Sequence, residues 1–226
     1  MLSVLPDTPL GSLPLHGGGR PAKDDPFTPE LKILRRDLAT LALACTDALT
    51  KTAQHYSGDD LLAIGTMPGY GPLADAVEAA ARGFLSNSHL SQAHSEIVAN
   101  TLKMSGDLRT AARGGRQAVQ IAFLFRLDRE SGEDALSLLS PMAEATVAVA
   151  ERTAFAVQTT DPHAATEAAH LYRTVDTLRS QVEAGLRART WDEYFSPTMQ
   201  RMIRASAWNF AVAGESMARV AARLVV

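Results

Sequence analysis

The 226 residues are 46% hydrophobic and 21% charged, with a formal net charge of −3, the makeup of an ordinary globular protein. That balance gives no electrostatic case for nucleic acid, and no apolar run approaches the ~20 residues of a membrane span. The single cysteine, Cys45, rules out an internal disulfide and falls at an apolar position of a helical pattern, as a buried structural thiol does.

Residues 1–27 carry Pro6, Pro9, Pro14, Pro21, Pro26 and the run Gly17-Gly18-Gly19 without any period, which predicts an irregular or disordered tail. The prolines interrupt the first apolar stretch and no basic segment precedes it, arguing against a signal peptide and for the cytoplasm. Order is expected from Thr28-Pro29. A hydroxyl or carboxylate before proline marks a helix start, because the side chain accepts an orphan amide while proline needs no acceptor. The signature recurs at Ser140-Pro141, Asp161-Pro162 and Ser196-Pro197.

Helix one presents Leu31, Leu34, Leu38, Leu41, Cys45, Ala48 and Thr52 at three-four spacing and stops at Ser57-Gly58, with Asp59 or Asp60 capping the second helix. Met67-Pro68-Gly69-Tyr70-Gly71-Pro72 interrupts that helix. It is expected to resume over 73–85 with Leu73, Val77, Ala80 and Phe84 inward. The third helix, 91–126, carries a seam of Ile97, Thr101, Met104, Leu108, Ala111, Gly115, Ala118, Ala122 and Phe125. Its Gly114-Gly115 pair costs about 2 kcal/mol of helix propensity, so the backbone is closely approached there or bends.

Residues 128–134 form the break between halves. Helix four is expected from Leu136 or Ser140 to Gln158, facing inward with Leu139, Met142, Thr146, Val149, Thr153 and Ala156. Helix five is expected from Asp161 to about Arg189, with Ala168, Leu171, Val175, Leu178, Val182 and Gly185 or Leu186 inward. An aromatic turn over 191–195 leads to the final helix. There Met199, Ile203, Ser206, Phe210, Ala213, Met217, Val220 and Leu224 form a seam broken only by Ser206. No segment alternates with period two, so no sheet is predicted.

An internal repeat relates the halves. Asp60 and Asp75 are 15 apart, as are Asp161 and Asp176, and the two pairs are offset by 101. Leu38, Leu41 and Ala53 match Leu139, Met142 and Ala154 at the same offset. The expected architecture is all-α: two tandem three-helix bundles, 28–127 and 128–226, doubled from one unit.

The ends of the two long helices carry a family likeness. Residues Asn209-Phe210-Ala211-Val212-Ala213-Gly214-Glu215-Ser216, then Arg219-Val220-Ala221, keep step with a motif of the PhoU family, and Lys103-Met104-Ser105-Gly106-Asp107-Leu108 does so in the first half. From about residue 27 onward the chain resembles PhoU, a family of phosphate-transport regulators folded as two three-helix bundles. The resemblance implies a regulator of phosphate uptake and phosphate-starvation signalling, damping a sensor histidine kinase and the ATPase of a phosphate transporter by contact. It also implies a homodimer and no enzyme chemistry. Family members place acid pairs one helical turn apart that hold metal ions. Here only Glu215 is kept; Ala211, Arg109 and Arg113 stand at the other acid positions. One carboxylate is poor ligation, so no metal or cofactor is expected. Arg109, Arg113 and Arg116 suit an anion or a partner's carboxylates, or form a solvated face paired with Asp107. The lost acids leave open a helical adaptor with another client.

Glu167-Ala168-Ala169-His170 has the Glu-x-x-His spacing of di-iron bundles, with His163 on the same face. No second such element exists, so a polar outer face is expected, and a ferritin-like carboxylate-bridged metal protein stays the remote alternative. His55, His89 and His94 fall near helix ends, which explains them without catalysis. No nucleophile elbow or Gly-x-x-x-x-Gly-Lys loop occurs, so no catalytic residue is assigned. Trp191, Tyr194, Phe195 or Trp208, if exposed, mark a partner surface; burial between the bundles is the other reading of Trp208.

Overall fold

The computed structural model describes residues 28–58, 69–86, 90–128, 130–188 and 191–225. The tail expected over 1–27, the caps at Asp59 or Asp60, Met67-Pro68 and His89 lie outside the described residues. Among those described the chain forms six helices and no strand: α1 Thr28–Ser57, α2 Tyr70–Leu85, α3 Gln92–Leu127, α4 Gly132–Thr159, α5 Pro162–Arg187 and α6 Pro197–Ala222. None of them is long and apolar enough to cross a membrane.

Side-chain caps set the starts of three helices. Ser91, Asp161 and Ser196 each accept a backbone amide two or three residues on, from His94, His163 and Met199, and Pro162 and Pro197 are the first helical residues of α5 and α6. Gly58, at φ +92°, takes the left-handed conformation after α1. Ser140-Pro141 is not a start, because Pro141 lies inside α4. Pro141 is exposed, so the carbonyl left unpaired one turn earlier meets water. Meanwhile Ala135, Leu136 and Leu139 anchor the preceding turns in the core. Gly132 opens α4 because a Cβ there would collide with the Phe125 carbonyl oxygen.

Helix α2 begins at Tyr70, with Gly71-Pro72 in its first turn, where proline is tolerated. Its inner face is Tyr70, Ala74, Val77 and Ala81 with Phe84 half-buried, while Leu73 and Ala80 are exposed. The expected face is therefore rotated by one residue. The Tyr70 ring, covered by the Arg116 guanidinium 5.4 Å from its centroid, takes the place assigned to Leu73.

Helices α1, α2 and α3 pack on one another, as do α4, α5 and α6. The two sets join through α1 on α4 and α3 on α6, so one hydrophobic core runs through all the central helices. Both long seams lie in it: only Ile97 and Leu224 of their apolar residues are half-exposed. Gly114 shows why small residues sit in α3, since a Cβ there would lie 2.8 Å from the Asn209 carbonyl oxygen and 3.3 Å from the Ala213 methyl of α6. A neighbouring Cβ at Gly115 would meet Leu49 of α1 at 2.8 Å.

Polar seam positions are matched at depth. Tyr56 donates to the Ala118 carbonyl at 2.8 Å or shares its proton with Ser206, also at 2.8 Å, and its ring meets Phe210 edge-on at 4.9 Å. Cys45 Sγ points at the Leu108 carbonyl at 3.4 Å, and Thr146 Oγ1, which donates to the Met142 carbonyl at 2.8 Å, lies 3.5 Å from the Phe210 carbonyl. Side chains 101 residues apart thus face carbonyls 102 apart.

Cys45 is fully buried, and burial pushes its thiol up to about 12. The native protein should resist thiol reagents at neutral pH and react once unfolded, as a reagent time course with and without denaturant would show. The folded value is raised, so this thiol's contribution to stability is complete below its ordinary value of 9.0 and is lost as pH climbs towards about 12. Tyr56, raised by its own burial, acts in the same direction. Cys45→Ala should flatten the alkaline fall of the melting temperature.

Candidate functional site

Arginines and carboxylates along α2, α3, α5 and α6 pair at Asp75, Asp107, Arg109, Asp176 and Glu215, which the sequence singled out, and at Glu78, Arg82, Arg179 and Arg223, which it did not. Arg109 leaves α3 towards α2, giving Nη2 to Asp75 Oδ1 at 2.7 Å. Its Nε and Nη2 reach Glu78 Oε1 at 3.2 and 2.9 Å. The Asp75 hydrogen bond is the first cause of the raised Arg109 pKa. Arg82 Nη2 holds the other Glu78 oxygen at 3.1 Å. Arg109 is thus engaged inside the fold and does not pair with Asp107.

Asp107 has different partners. Its side chain is 14% exposed and accepts Arg219 Nε at 3.0 Å and Arg223 Nε at 3.3 Å, both from the end of α6. Arg219 also reaches Glu215 Oε1 at 2.8 Å and Ser216 Oγ at 2.9 Å. Glu215 is therefore held by a guanidinium one turn along its own helix. Sequence reasoning missed this role of Asp107, although an i,i+4 arginine pair beside an apolar seam is the pattern that would have flagged an acid opposite. In the second half the position offset by 101 from Glu78 is Arg179. It closes on Asp176 at 2.8 Å within α5. Beside it the Tyr172 hydroxyl is pushed up, first by burial and then by Glu215 and Asp176.

Every carboxylate of these clusters faces a guanidinium, so an arriving cation would have to displace an internal one. Among the described residues no three His, Cys, Asp or Glu side chains converge on a point. Glu167 pairs with Arg152 of α4, while His163 and His170 lie exposed on α5. His55 is buried beside Phe123. Arg113 is exposed, and Arg116 covers Tyr70. Of the aromatic candidates Tyr194 and Trp208 are exposed, at 69% and 59%, and Phe195 is buried. Trp191 is half-buried, its ring against Gly185, where a Cβ would sit 2.6 Å away. Trp208 therefore does not fill the gap between the bundles.

The chain superposes on the crystal structure of PhoU from Pseudomonas aeruginosa with a TM-score of 0.78, over 88% of this chain and 97% of that one, at 13% identity. This is a PhoU-like fold. No protein-family model matches the sequence, and no curated protein matches it either. At such identity the likeness establishes the helical architecture, while the PhoU-like frame carries its own polar lining of arginine–carboxylate pairs.

Replacing Arg109 tests that lining. Arg109→Leu leaves Asp75 without its guanidinium and strips one partner from Glu78, whose side chain is 16% exposed. We expect a loss of about 1 kcal/mol, the scale of a partly exposed pair, shrinking as salt screens it. Urea unfolding at low and high ionic strength reads this out.

Proposed function

We propose that this chain is a regulator of phosphate uptake and phosphate-starvation signalling that works by contact. Its clients in this reading are the ATPase of a phosphate ABC transporter, a sensor histidine kinase, or both. The observation that supports it is the PhoU-like fold over 88% of the chain, together with the motif likeness of Lys103 to Leu108 within α3 and Asn209 to Ala221 in α6. Negative regulation, a cytoplasmic location and a homodimer belong to the same proposal. So does descent from a doubled three-helix unit with halves 28–127 and 128–226, which the matching placement of Cys45 and Thr146 opposite the Leu108 and Phe210 carbonyls supports. Arginines already pair with the carboxylates of Asp75, Glu78, Asp107 and Glu215, which supports docking of a helix face as the mechanism in this reading.

Expression in cells that lack their own PhoU and carry a phosphate-starvation reporter tests the proposal. Restored repression in high phosphate, with capture of the transporter ATPase or the kinase, is the expected result. Those same arginine pairs favour a second reading, a diverged helical adaptor with another client. An inert reporter combined with specific capture of an unrelated protein would select it. Two iron or manganese ions per purified chain would instead revive the carboxylate-bridged metal protein.

A further inference from the structure

A concavity of about 530 Å³ opens where the starts of α1 and α3 meet the ends of α4 and α6. Its floor is mainly apolar: Leu38, Met104 and Val157 are buried beneath it beside Thr101, whose hydroxyl donates to the Ile97 carbonyl, and Ile97 and Leu224 are half-buried at its sides. Further hollows continue it on both flanks, sharing Arg35 on one side and Arg223 on the other. The rim is cationic. Among the described residues Lys32, Arg35, Arg36, Arg219 and Arg223 line this joined groove against a single lining acid, Glu96, which accepts a hydrogen bond from Gln92.

The cations differ in what already satisfies them. Arg36 has Asp37, while Arg219 and Arg223 share Asp107. Lys32 and Arg35 have no ion pair among the described residues, and both stand on the first turns of α1 above the apolar floor. A hollow of this size is in the range that takes small ligands. An inorganic anion would satisfy the rim and leave the floor wet; a neutral apolar molecule would fill the floor and leave the guanidinium of Arg35 unmatched. A ligand with both parts satisfies both surfaces, since an Arg fork suits a carboxylate or phosphate and burial of its chain removes apolar area from water.

We infer that this groove binds an anionic amphiphile, an aliphatic chain lying over Leu38, Ile97 and Val157 with its acid head against Arg35 and Lys32. The head chemistry is shared by free aliphatic acids and by acidic lipids. This site stands apart from the regulator reading, and a failure to restore phosphate repression leaves it untouched.

Titration calorimetry of the full chain with sodium dodecanoate below its micelle threshold tests the site. One saturable site is expected, with dodecanol and dodecyltrimethylammonium weaker by roughly tenfold or more, the worth of a charge-assisted hydrogen bond. The double variant Lys32→Glu with Arg35→Glu should lose affinity by a similar factor at unchanged helicity. Arg201→Glu, on α6 outside the groove, should retain it. Sedimentation with phosphatidylglycerol vesicles, competed by dodecanoate, would name a membrane lipid as the source. Binding of the monomeric acid without sedimentation would name a free acid, and either supports the site. Absence of saturable binding, equal binding of dodecanol, or undiminished binding by the double variant overturns it, as does a groove-dependent dimer that excludes the acid.

Discussion

Gly114→Val should destabilise the protein by about 3 kcal/mol, lowering the melting temperature by roughly 6–12 °C for a chain of this size. The Cβ would arrive 2.8 Å from the Asn209 carbonyl oxygen, a backbone atom fixed inside α6, with the Ala213 methyl at 3.3 Å. Neither atom can swing aside as a flexible side chain would, so α3 and α6 must separate along their shared seam. Gly114→Ala should also destabilise, because the contact outweighs the ~1 kcal/mol of helix propensity it gains. Gly106 sits in the same helix, exposed, with nothing within 4 Å of an added Cβ. There Gly106→Ala should stabilise by about 0.5–1 kcal/mol. Opposite signs for one substitution in one helix isolate packing from propensity; thermal melts of the three variants decide it, and a stabilised Gly114→Ala would refute the close approach.

Phe210→Ala should cost about 3–5 kcal/mol, or roughly 6–20 °C in melting temperature. Phe210 is 1% exposed and lies edge-on to Tyr56, whose hydroxyl is tied to Ala118 and Ser206. The Tyr56 side chain therefore couples α1, α3 and α6, and removing the Phe210 ring packed against it leaves a cavity where rigid helices cannot collapse. Tyr56→Phe removes only the hydroxyl and leaves the Ser206 Oγ and Ala118 carbonyl short of a partner, about 1–3 kcal/mol. A double-mutant cycle between positions 56 and 210 should show coupling, since aromatic pairs in contact are worth about 0.5–1.5 kcal/mol beyond area. Strict additivity would sink the claim that this pair ties the halves together.

Much of this was written along the chain. The stripes of α1, α3, α4 and α6 recur at helical spacing, so period alone assigns Leu34, Leu108, Thr146 and Ile203 to the core without knowledge of any neighbour. Asp161 and Ser196 are local devices whose capping bonds span two or three residues, and local sequence is sufficient for them. The expectation of a PhoU-like fold also rested on a run within one helix, Asn209 to Ala221, and the fold observed is PhoU-like.

Other features needed the folded chain. Ser140-Pro141 has the same local signature as Ser196-Pro197, yet core burial of Leu136 and Leu139 carries the helix through it. The rotation of α2 was settled by what covers Tyr70, and the partner of Arg109 by a helix 31 residues upstream. Asp107 meets Arg219 and Arg223 across 112 and 116 residues, and no pattern in one segment encodes such a meeting. The sequence by itself determined the amphipathic helices and the caps at Asp161 and Ser196, because periodicity and capping act over a few residues. Tertiary structure alone decided which charges cancel and where a basic, apolar hollow remains, because Coulomb attraction and shape depend on distances in space.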